Sequence, residues 1–331
     1  MVAALRFTLG EMRAPKVHLA HVPTPLEAMD RLGEHLGFDA GCLWVKRDDC
    51  TGLAGGGNKA RKLEYLCADA VAQGCDTLVT GGGRQSNHVR MTAAAANKVG
   101  LRCSVVLASA PPAHPTGNVV LDHLLAPDIV WAGPLDYYGT EAAIEATCEK
   151  LAADGRRPYR MPVGGASTVG ALGYVDAADE LLDQLPDLGL VVVADGSGGT
   201  HAGLVAGLGD HARVLGVDVG TRPDLDEQVP AKAADAAALA GRPAPTGDVQ
   251  IDHDHFGDDY GAMTDDCRRA IDLAARLEGL VLDPVYSGKA LAGLIAARAT
   301  GRVAPEQKVV FLHTGGMPAL FARAYADWIK G

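Results

Sequence analysis

The chain has 331 residues, 48% of them hydrophobic, which excludes a disordered protein and is enough for two domains or one large α/β unit. Its formal charge of −11 argues against nucleic-acid binding as its main function. The seven cysteines are odd in number and none forms a CxxC pair, so we expect small apolar packing residues rather than a disulfide framework.

The N-terminal segment MVAALRFTLGEMR does not resemble a secretory signal, because Arg6 and Glu11 interrupt its apolar residues. No apolar run is long enough to span a bilayer. We therefore expect a cytoplasmic protein with no membrane partner.

From about Cys42 onward, short apolar runs alternate with helical patterns. Such alternation predicts parallel sheets covered by helices. The Ala/Pro-rich segment 231–246 is predicted to be a helix followed by a surface loop. Strands are predicted at 77–80, 104–108, 190–195, 214–219 and 309–312, and helices at 89–99, 201–208 and 318–329.

Four glycine-rich turns lie where predicted strands lead into helices, which is where ligands bind in such folds. Glycine lets backbone N–H groups approach a ligand closely, and the N-terminus of a helix favours an anion. Together the turns predict a site for an anionic ligand. They are GGGRQSN (81–87), GGAST (164–168), DGSGGT (195–200) and HTGG (313–316).

The segment GGGNKARKLEYL (55–66) begins a helix with Asn58 as its predicted N-cap and Leu63 and Leu66 on its apolar face. Its first turn carries Lys59, Arg61 and Lys62, although the helix dipole favours anions there. Cations in this position need a specific function.

A dinucleotide is one candidate anion. Gly196-x-Gly198 follows a predicted strand, and Asp218 lies about twenty residues further on, as in a Rossmann fingerprint. However, His201 replaces the third glycine, and the motif lies past mid-chain instead of opening a domain. A P-loop is excluded because no glycine turn ends in Gly-Lys-Ser/Thr.

A single phosphate fits the turn at 196–200 better, because the turn offers successive backbone donors and two hydroxyl groups. A lysine at a positive helix end near other cations has a disfavoured ammonium form, so its amine is available as a nucleophile. Pyridoxal phosphate supplies both the phosphate and an aldehyde for that amine. Lys62 lies one turn after Lys59 and would reach the phosphate.

The ordered segments GGGNKARKLEYL, QSNHVRMTAAAA, PVGGAS, GSGGTHAGL, LEGLVLDPVYSGKALAGLI and FLHTGG resemble the family of 1-aminocyclopropane-1-carboxylate deaminase and D-cysteine desulfhydrase. The resemblance runs from about Pro23 to the C-terminus. It implies an α/β, tryptophan-synthase-β-like (fold type II) pyridoxal-phosphate enzyme with two open, twisted, mostly parallel sheets, each covered by helices. It also implies a homodimer. We expect a large cofactor domain formed by 1–54 and 166–331, and a small domain, 55–165, that carries the Schiff-base lysine.

By this resemblance Lys59 would bind the cofactor covalently and later move the Cα proton. Lys62 would hold the phosphate, with Ser197, Gly198, Gly199 and Thr200. Asn87 would hydrogen-bond the cofactor's ring oxygen, and Thr314 would lie near its pyridine nitrogen.

The substrate would lie against the segment Gln85-Ser86-Asn87-His88. Ser86 would bind its carboxylate and relay a proton. Tyr260 and Tyr286 match the family's two active-site tyrosines, which contact the substrate and assist proton transfer.

Each residue also has a purely structural interpretation. Ser86 and Asn87 would cap the next helix, Tyr286 would be a packed aromatic residue, and Arg61 a solvated or inter-domain side chain. His88 and His201 are expected to be hydrogen-bonded structural groups. His253 and His255 lie among acids without the spacing of metal ligands, so we expect no metal there.

Departures from the family pattern bear on the substrate. The deaminases carry a glutamate after the tyrosine of the PVY motif, and here that position is Ser287, which favours the desulfhydrases. Asp259 replaces a usual glycine before Tyr260. Arg84 adds a cation beside the carboxylate site, where it would meet a second acid or, as we expect, point to solvent.

We therefore predict α,β-elimination on a small β-substituted amino acid, with D-cysteine favoured and pyruvate, sulfide and ammonia as products. The alternatives are L-cysteate sulfo-lyase activity, 1-aminocyclopropane-1-carboxylate deamination, a nicotinamide-dependent dehydrogenase, and a non-catalytic relative that keeps the fold.

Overall fold

A computed structural model describes residues 14–329 of the chain. The N-terminal segment in which no signal was predicted lies outside these residues. In the described part, no helix is long and apolar enough to cross a membrane.

Two sheets organise the chain. Six strands form one sheet in the order β1-β2-β10-β7-β8-β9, and four form the other in the order β5-β4-β3-β6. Every pairing is parallel except β1 with β2, which is antiparallel. The strands are β1 (Leu26–Ala28), β2 (Leu43–Lys46), β3 (Thr77–Gly82), β4 (Arg102–Leu107), β5 (Asp128–Trp131), β6 (Pro158–Arg160), β7 (Leu190–Asp195), β8 (Val214–Asp218), β9 (Gln250–Asp252) and β10 (Val309–Leu312).

The helices lie between these strands, as parallel connections require. They are α1 (Asp30–Leu36), α2 (Lys59–Ala72), α3 (Asn87–Val99), α4 (Asn118–Leu125), α5 (Tyr137–Ala153), α6 (Thr168–Gln184), α7 (Gly199–Leu208), α8 (Leu225–Leu239), α9 (Asp265–Leu273), α10 (Ser287–Ala299) and α11 (Arg323–Ile329).

The five predicted strands are confirmed, and β7 and β10 have the predicted bounds. Both strands are buried along their whole length, which explains their continuous apolar runs instead of alternation. The predicted helix at 231–246 is confirmed as far as Leu239, but it begins earlier, at Leu225.

The prediction of one continuous helix over 318–329 is wrong. A 3-10 turn occupies Met317–Phe321, and Ala322 is extended (φ −72°, ψ 139°) before α11 begins. Ala319, Ala322 and Tyr325 pack against Val285. Their spacing of three residues suits the tighter turn, and this packing outweighs helix propensity.

Five of the seven cysteines are buried, and all seven are free, which confirms their expected role as small packing residues.

Candidate active site

The four predicted glycine turns meet at one pocket of about 320 Å³. Its lining includes Gly82 and Gly83, Gly164, residues 195–200, and Thr314. Gly82 and Asp195 end strands of different sheets, β3 and β7, so the pocket lies where the carboxyl ends of both sheets converge. Its volume is in the range of small-molecule sites.

Lys59 is the first residue of α2 and lines this pocket. Burial lowers the pKa of its amine to about 8, and the negative charge of Asp195 opposes that shift in part. The sequence argument ascribed the lowering to the helix end and neighbouring cations, whereas removal from water is the chief cause. The lysine is a stronger nucleophile at neutral pH than an exposed one.

Asn58 does not cap α2 with its side chain, and that prediction is wrong. Its backbone is helical (φ −56°, ψ −22°), so the side chain points elsewhere. The amide Nδ2 donates to Thr200 Oγ1 over 3.0 Å, and the backbone N–H donates to the Thr314 carbonyl over 3.0 Å. Asn58 therefore joins the start of α2 to two of the glycine turns.

Lys62 is fully buried, and its Nζ lies 3.3 Å from the Gly164 carbonyl. Burial, then the charge of Lys59, lowers its pKa well below the usual value. Lys62 does not line the pocket itself. A Cβ placed on Gly199 would lie 2.9 Å from its Nζ, so the amine sits directly behind the glycine turn at 196–200.

Arg61 is buried, so the prediction of a solvated side chain is wrong. Its guanidinium donates to both carboxylate oxygens of Asp48 over 2.9 Å and to Glu180 over 2.9 and 3.0 Å. These contacts tie α2 to α6 and to the segment after β2. Of the three cations in the first turn of α2, Arg61 is thus neutralised by carboxylates, whereas Lys59 and Lys62 are not.

The turn between β7 and α7 is shaped to receive a phosphate. Gly198 has a positive φ of 84°, which favours glycine. The first N–H groups of α7 have no intrahelical partner, and the hydroxyl-bearing Ser197 and Thr200 line the pocket beside them. A Cβ on Gly164 would lie 2.4 Å from Ser197 Oγ, so the opposite wall must also be glycine.

Ser86 caps α3, since its Oγ accepts a hydrogen bond from the Val89 N–H over 3.3 Å, and it also lines the pocket. The capping and binding interpretations are therefore compatible. Asn87 and His88 line the pocket as well. Gln85 does not, because its amide bonds the Thr116 carbonyl and the Asn118 N–H instead. The structure thus gives no support to Gln85 as a substrate contact.

His88 is buried, and neither ring nitrogen has a hydrogen-bond partner within residues 14–329. Its expected satisfied state is therefore wrong. Burial, then the charges of Lys59 and Lys62, lowers its pKa well below the usual value, so the ring is neutral. His201 Nδ1, by contrast, lies 2.7 Å from Asp195 Oδ2.

Tyr260 and Tyr286 line the same wall of the pocket, and their hydroxyl groups hydrogen-bond to each other. Burial raises the pKa of Tyr260 to about 12 and that of Tyr286 well above its usual value. Both phenols are neutral near pH 7 and can act as hydrogen-bond donors.

The departures from the family pattern have distinct environments. Ser287 is fully buried and does not line the pocket, because its Oγ donates to Asp283 Oδ1 over 2.6 Å and accepts from the Asp283 N–H. Asp259 lines the pocket and accepts a hydrogen bond from the Tyr260 N–H over 2.7 Å. Arg84 is exposed and does not line the pocket, as expected.

Sequence reasoning missed part of the lining. Asp195, Tyr137, Thr140 and Thr221 all lie in the wall, and none belongs to the motifs that were assigned roles. Asp195 was visible as the last residue of a predicted strand, just before a glycine turn. Tyr137 and Thr140, at the start of α5, had no signal in the sequence.

His253 lies between two carboxylates, with Nδ1 2.9 Å from Asp218 and Nε2 3.0 Å from Asp226. His255 Nδ1 lies 2.8 Å from Asp252. After the counteracting effect of burial on His253, these carboxylates raise the pKa of both imidazoles. Both histidines are explained by ion pairing.

The family model described as "Pyridoxal-phosphate dependent enzyme" matches residues 17–315. D-cysteine desulfhydrase of Salmonella typhi is 43% identical over 324 residues, which cover 94% of this chain and 96% of the relative. The same protein of Salmonella newport is also 43% identical, with the same coverage.

Among solved structures, an "ACC deaminase homologue" superposes with a TM-score of 0.87 and 35% identity, covering 96% of this chain and 95% of the other. Threonine deaminase isoform 2 of Solanum lycopersicum gives a TM-score of 0.66 with 17% identity, over 94% and 83% of the two chains. The latter likeness extends to the fold alone.

These comparisons overturn the dinucleotide alternative. The structure agrees, because Asp218 does not await a ribose hydroxyl. Its carboxylate instead accepts hydrogen bonds from the Gly220 N–H over 2.7 Å and faces His253.

Proposed function

The chain belongs to the family of pyridoxal-phosphate-dependent enzymes, and on that premise we propose that it is a lyase that converts D-cysteine and water to pyruvate, hydrogen sulfide and ammonia. One observation carries the proposal. A buried lysine with a pKa of about 8 shares a pocket with a phosphate-sized glycine turn, in a chain 43% identical to D-cysteine desulfhydrase.

The residues present fit the cofactor. We propose that Lys59 binds it covalently and that the N-terminus of α7, with Ser197, Gly198, Gly199 and Thr200, holds its phosphate. Lys62, behind Gly199, would add positive charge to this end of the pocket. Its lowered pKa fits a site that lacks its anion, since a phosphate nearby favours the ammonium form.

Asn87 would donate to the ring oxygen, and Thr314, whose residue lines the far wall, would face the pyridine nitrogen. When bound, the conjugated ring supplies an electron sink for the charge that develops at Cα.

The protein's own groups then perform the remaining tasks. The Lys59 amine, released when the substrate's amine takes its place, would remove the Cα proton, and its lowered pKa suits that role at neutral pH. Ser86 and the N-terminus of α3 would bind the substrate carboxylate, because a helix N-terminus stabilises an anion. His88, adjacent and neutral, would add no competing positive charge.

Loss of sulfide from Cβ requires a proton donor, since a thiol leaves more easily than a thiolate in a pocket shielded from water. Tyr260 and Tyr286 are placed for this role, because both are neutral and share a hydrogen bond at the wall.

Deamination of 1-aminocyclopropane-1-carboxylate is a second candidate, favoured by the likeness to an "ACC deaminase homologue". Position 287 argues against it. Ser287 is enclosed by Asp283, which also accepts hydrogen bonds from the Val285 and Tyr286 N–H groups. The glutamate of the deaminases at this position would have to share a buried site with that carboxylate, at a high desolvation cost.

The experiment is to measure pyruvate and sulfide release by the purified holoenzyme from D-cysteine, L-cysteine, L-cysteate and 1-aminocyclopropane-1-carboxylate in parallel. We expect pyruvate and sulfide in equal amounts from D-cysteine at the highest kcat/KM. A higher kcat/KM on L-cysteate, with sulfite as co-product, would replace the proposed substrate. A non-catalytic relative would release no pyruvate from any of the four.

We further propose two domains, 1–54 with 166–331 and 55–165. This division is supported by the strands, because the six-stranded sheet draws only on the first part and the four-stranded sheet only on the second. We also propose a cytoplasmic homodimer, in keeping with seven free cysteines.

A further inference from the structure

The side-chain amide of Asn87 is held in one orientation by groups outside the pocket. Its Oδ1 accepts two hydrogen bonds, one from Arg90 Nη1 over 2.9 Å and one from Asn118 Nδ2 over 3.1 Å. An amide can place either its oxygen or its nitrogen at a given point, so the nature of these neighbours decides which of the two turns toward the pocket.

Arg90 is the neighbour that decides it. The side chain is fully buried, one turn into α3, and a guanidinium can only donate hydrogen bonds. Burial lowers its pKa to about 10, with the charges of Asp122 and Asp283 opposing the shift, so it stays protonated at neutral pH. An oxygen atom must therefore face Nη1.

The same argon-like constraint does not apply to Asn118 by itself, because its amide could also present either atom. Arg90 fixes this amide too, since Nη1 donates to Asn118 Oδ1 over 2.5 Å. The Asn118 Nδ2 is then directed to the Gln85 carbonyl over 2.9 Å and to Asn87 Oδ1. Both amides thus take their orientation from one guanidinium.

The other nitrogen of Arg90 reaches the covalent site. Nη2 donates to the Gly56 carbonyl over 3.0 Å, in the glycine turn that precedes Lys59. One buried side chain therefore connects the segment before Lys59 with Asn87.

The remaining atom of the Asn87 amide, Nδ2, has no hydrogen-bond partner among residues 14–329, and Asn87 lines the pocket. It is a donor in search of an acceptor.

We propose that Arg90 is a positioning residue that locks Asn87 with its Nδ2 toward the pocket, so that the cofactor's ring oxygen always meets a donor and is stabilised as an anion. This inference rests on the proposed binding of pyridoxal phosphate in this pocket. Gln85, which was predicted to contact substrate, instead helps to hold Asn118, through Oε1 and the Asn118 N–H at 2.8 Å.

The test compares Arg90→Gln with Arg90→Lys. A glutamine at position 90 can donate or accept, so the Asn87 amide is free to rotate, whereas a lysine can only donate. Asn97→Ala is the matched control, because it removes a hydrogen bond from the same helix to the Leu125 carbonyl, away from the pocket. Each variant is loaded with pyridoxal phosphate, and its visible absorbance is titrated with pH.

We expect Arg90→Gln to move the pH midpoint of the visible absorbance upward by about one unit, because a hydrogen bond to the anionic form favours that form. We also expect the cofactor Kd, measured on the apoenzyme by fluorescence, to rise about tenfold. Arg90→Lys should restore the midpoint toward that of the wild type, and Asn97→Ala should leave it unchanged. A purely structural role would lower the melting temperature of the variants without moving the midpoint.

An unchanged midpoint in Arg90→Gln, or an equal shift in Arg90→Lys, would overturn the inference while the wild-type spectrum still supported cofactor binding. A wild type that develops no visible band with pyridoxal phosphate would instead overturn the proposed function. If Arg90→Gln does not fold, a high-resolution crystal structure of the wild-type holoenzyme decides. The inference requires Asn87 Nδ2 within hydrogen-bond distance of the ring oxygen, and a longer separation would refute it.

Discussion

Tyr260 and Tyr286 meet edge to face, with ring centroids 6.0 Å apart, planes at 65° and a hydrogen bond between their hydroxyl groups. They come from different parts of the chain, the loop after β9 and the residue just before α10. Because burial keeps both phenols neutral, the pair can hold a donatable proton at the pocket wall.

Tyr286→Phe should lower kcat by about 10²-fold or more if the pair donates a proton to the leaving group, because general-acid groups contribute on that order. The measurement is kcat and KM for sulfide release from D-cysteine. Tyr159→Phe is the control, since Tyr159 bonds Asp69 outside the pocket and its loss should affect stability but leave kcat unchanged. Equal kcat values for Tyr286→Phe and wild type would exclude the proposed role.

Lys59→Ala should abolish both turnover and the visible absorbance of the holoenzyme, because the covalent attachment point is removed. Lys98→Ala, an exposed lysine in the last turn of α3, should behave like wild type. In the wild type, borohydride reduction followed by peptide mass spectrometry should place the cofactor on Lys59. A visible band that survives in Lys59→Ala would contradict the assignment.

The rate at which the apoenzyme captures pyridoxal phosphate should rise with pH and level off above about pH 8. Capture requires the neutral amine, and burial lowers the pKa of Lys59 to about 8, so protonation removes the nucleophile as the pH falls below that value. Stopped-flow absorbance between pH 6 and about pH 10 measures the midpoint. A midpoint near 10.5, the pKa of an exposed lysine, would show that the amine is not buried.

Arg61→Ala should destabilise the protein by about 3–5 kcal/mol, because it leaves the buried Asp48 carboxylate without its counter-ion. Arg269→Ala is the matched control. Arg269 pairs with Asp266 at the surface, so its loss should cost under about 1 kcal/mol. Urea denaturation of the apo forms measures both, and similar values for the two variants would contradict the importance of the buried network.

The same network should give the protein an acid limb. Burial acts to raise the pKa of Glu180, but the hydrogen bonds and charges of Arg61 and Lys46 outweigh it and bring the pKa to about 2. A carboxylate with a lowered pKa in the folded state stabilises the protein above its unfolded value of 4.5, and that contribution is lost as the pH falls toward 2. We expect Arg61→Ala to lose less stability than wild type over this interval, as measured by thermal unfolding.

Gly199→Ala should weaken cofactor binding, because its Cβ would lie 2.9 Å from both Lys62 Nζ and the Ala166 Cα, behind the phosphate turn. Gly33→Ala, in α1, meets only ordinary contacts from 3.5 Å and serves as control. Equilibrium titration of the apoenzymes with pyridoxal phosphate should give a higher Kd for Gly199→Ala alone. Equal Kd values would remove this turn from the phosphate site.

The amino-acid sequence by itself determined the alternation of strands and helices, the four glycine turns and the order of the family's motifs. These are local signals: apolar runs set β7 and β10, and glycine marks where backbone must approach a ligand. For the same reason Lys59, Ser86, Asn87 and Tyr286 were found from sequence, because each stands beside such a turn or within a long motif.

Only the tertiary structure decided the partners of those residues. Asn58 resembled a cap and instead bonds Thr200, 142 residues away, while Arg61 finds Asp48 and Glu180 rather than solvent. Hydrogen bonds and desolvation depend on which distant segments are packed together, and no local pattern records that. The charges at the start of α2 were legible in the chain, but their neutralisation and the lowered pKa of Lys59 arise from burial that only the assembled fold provides.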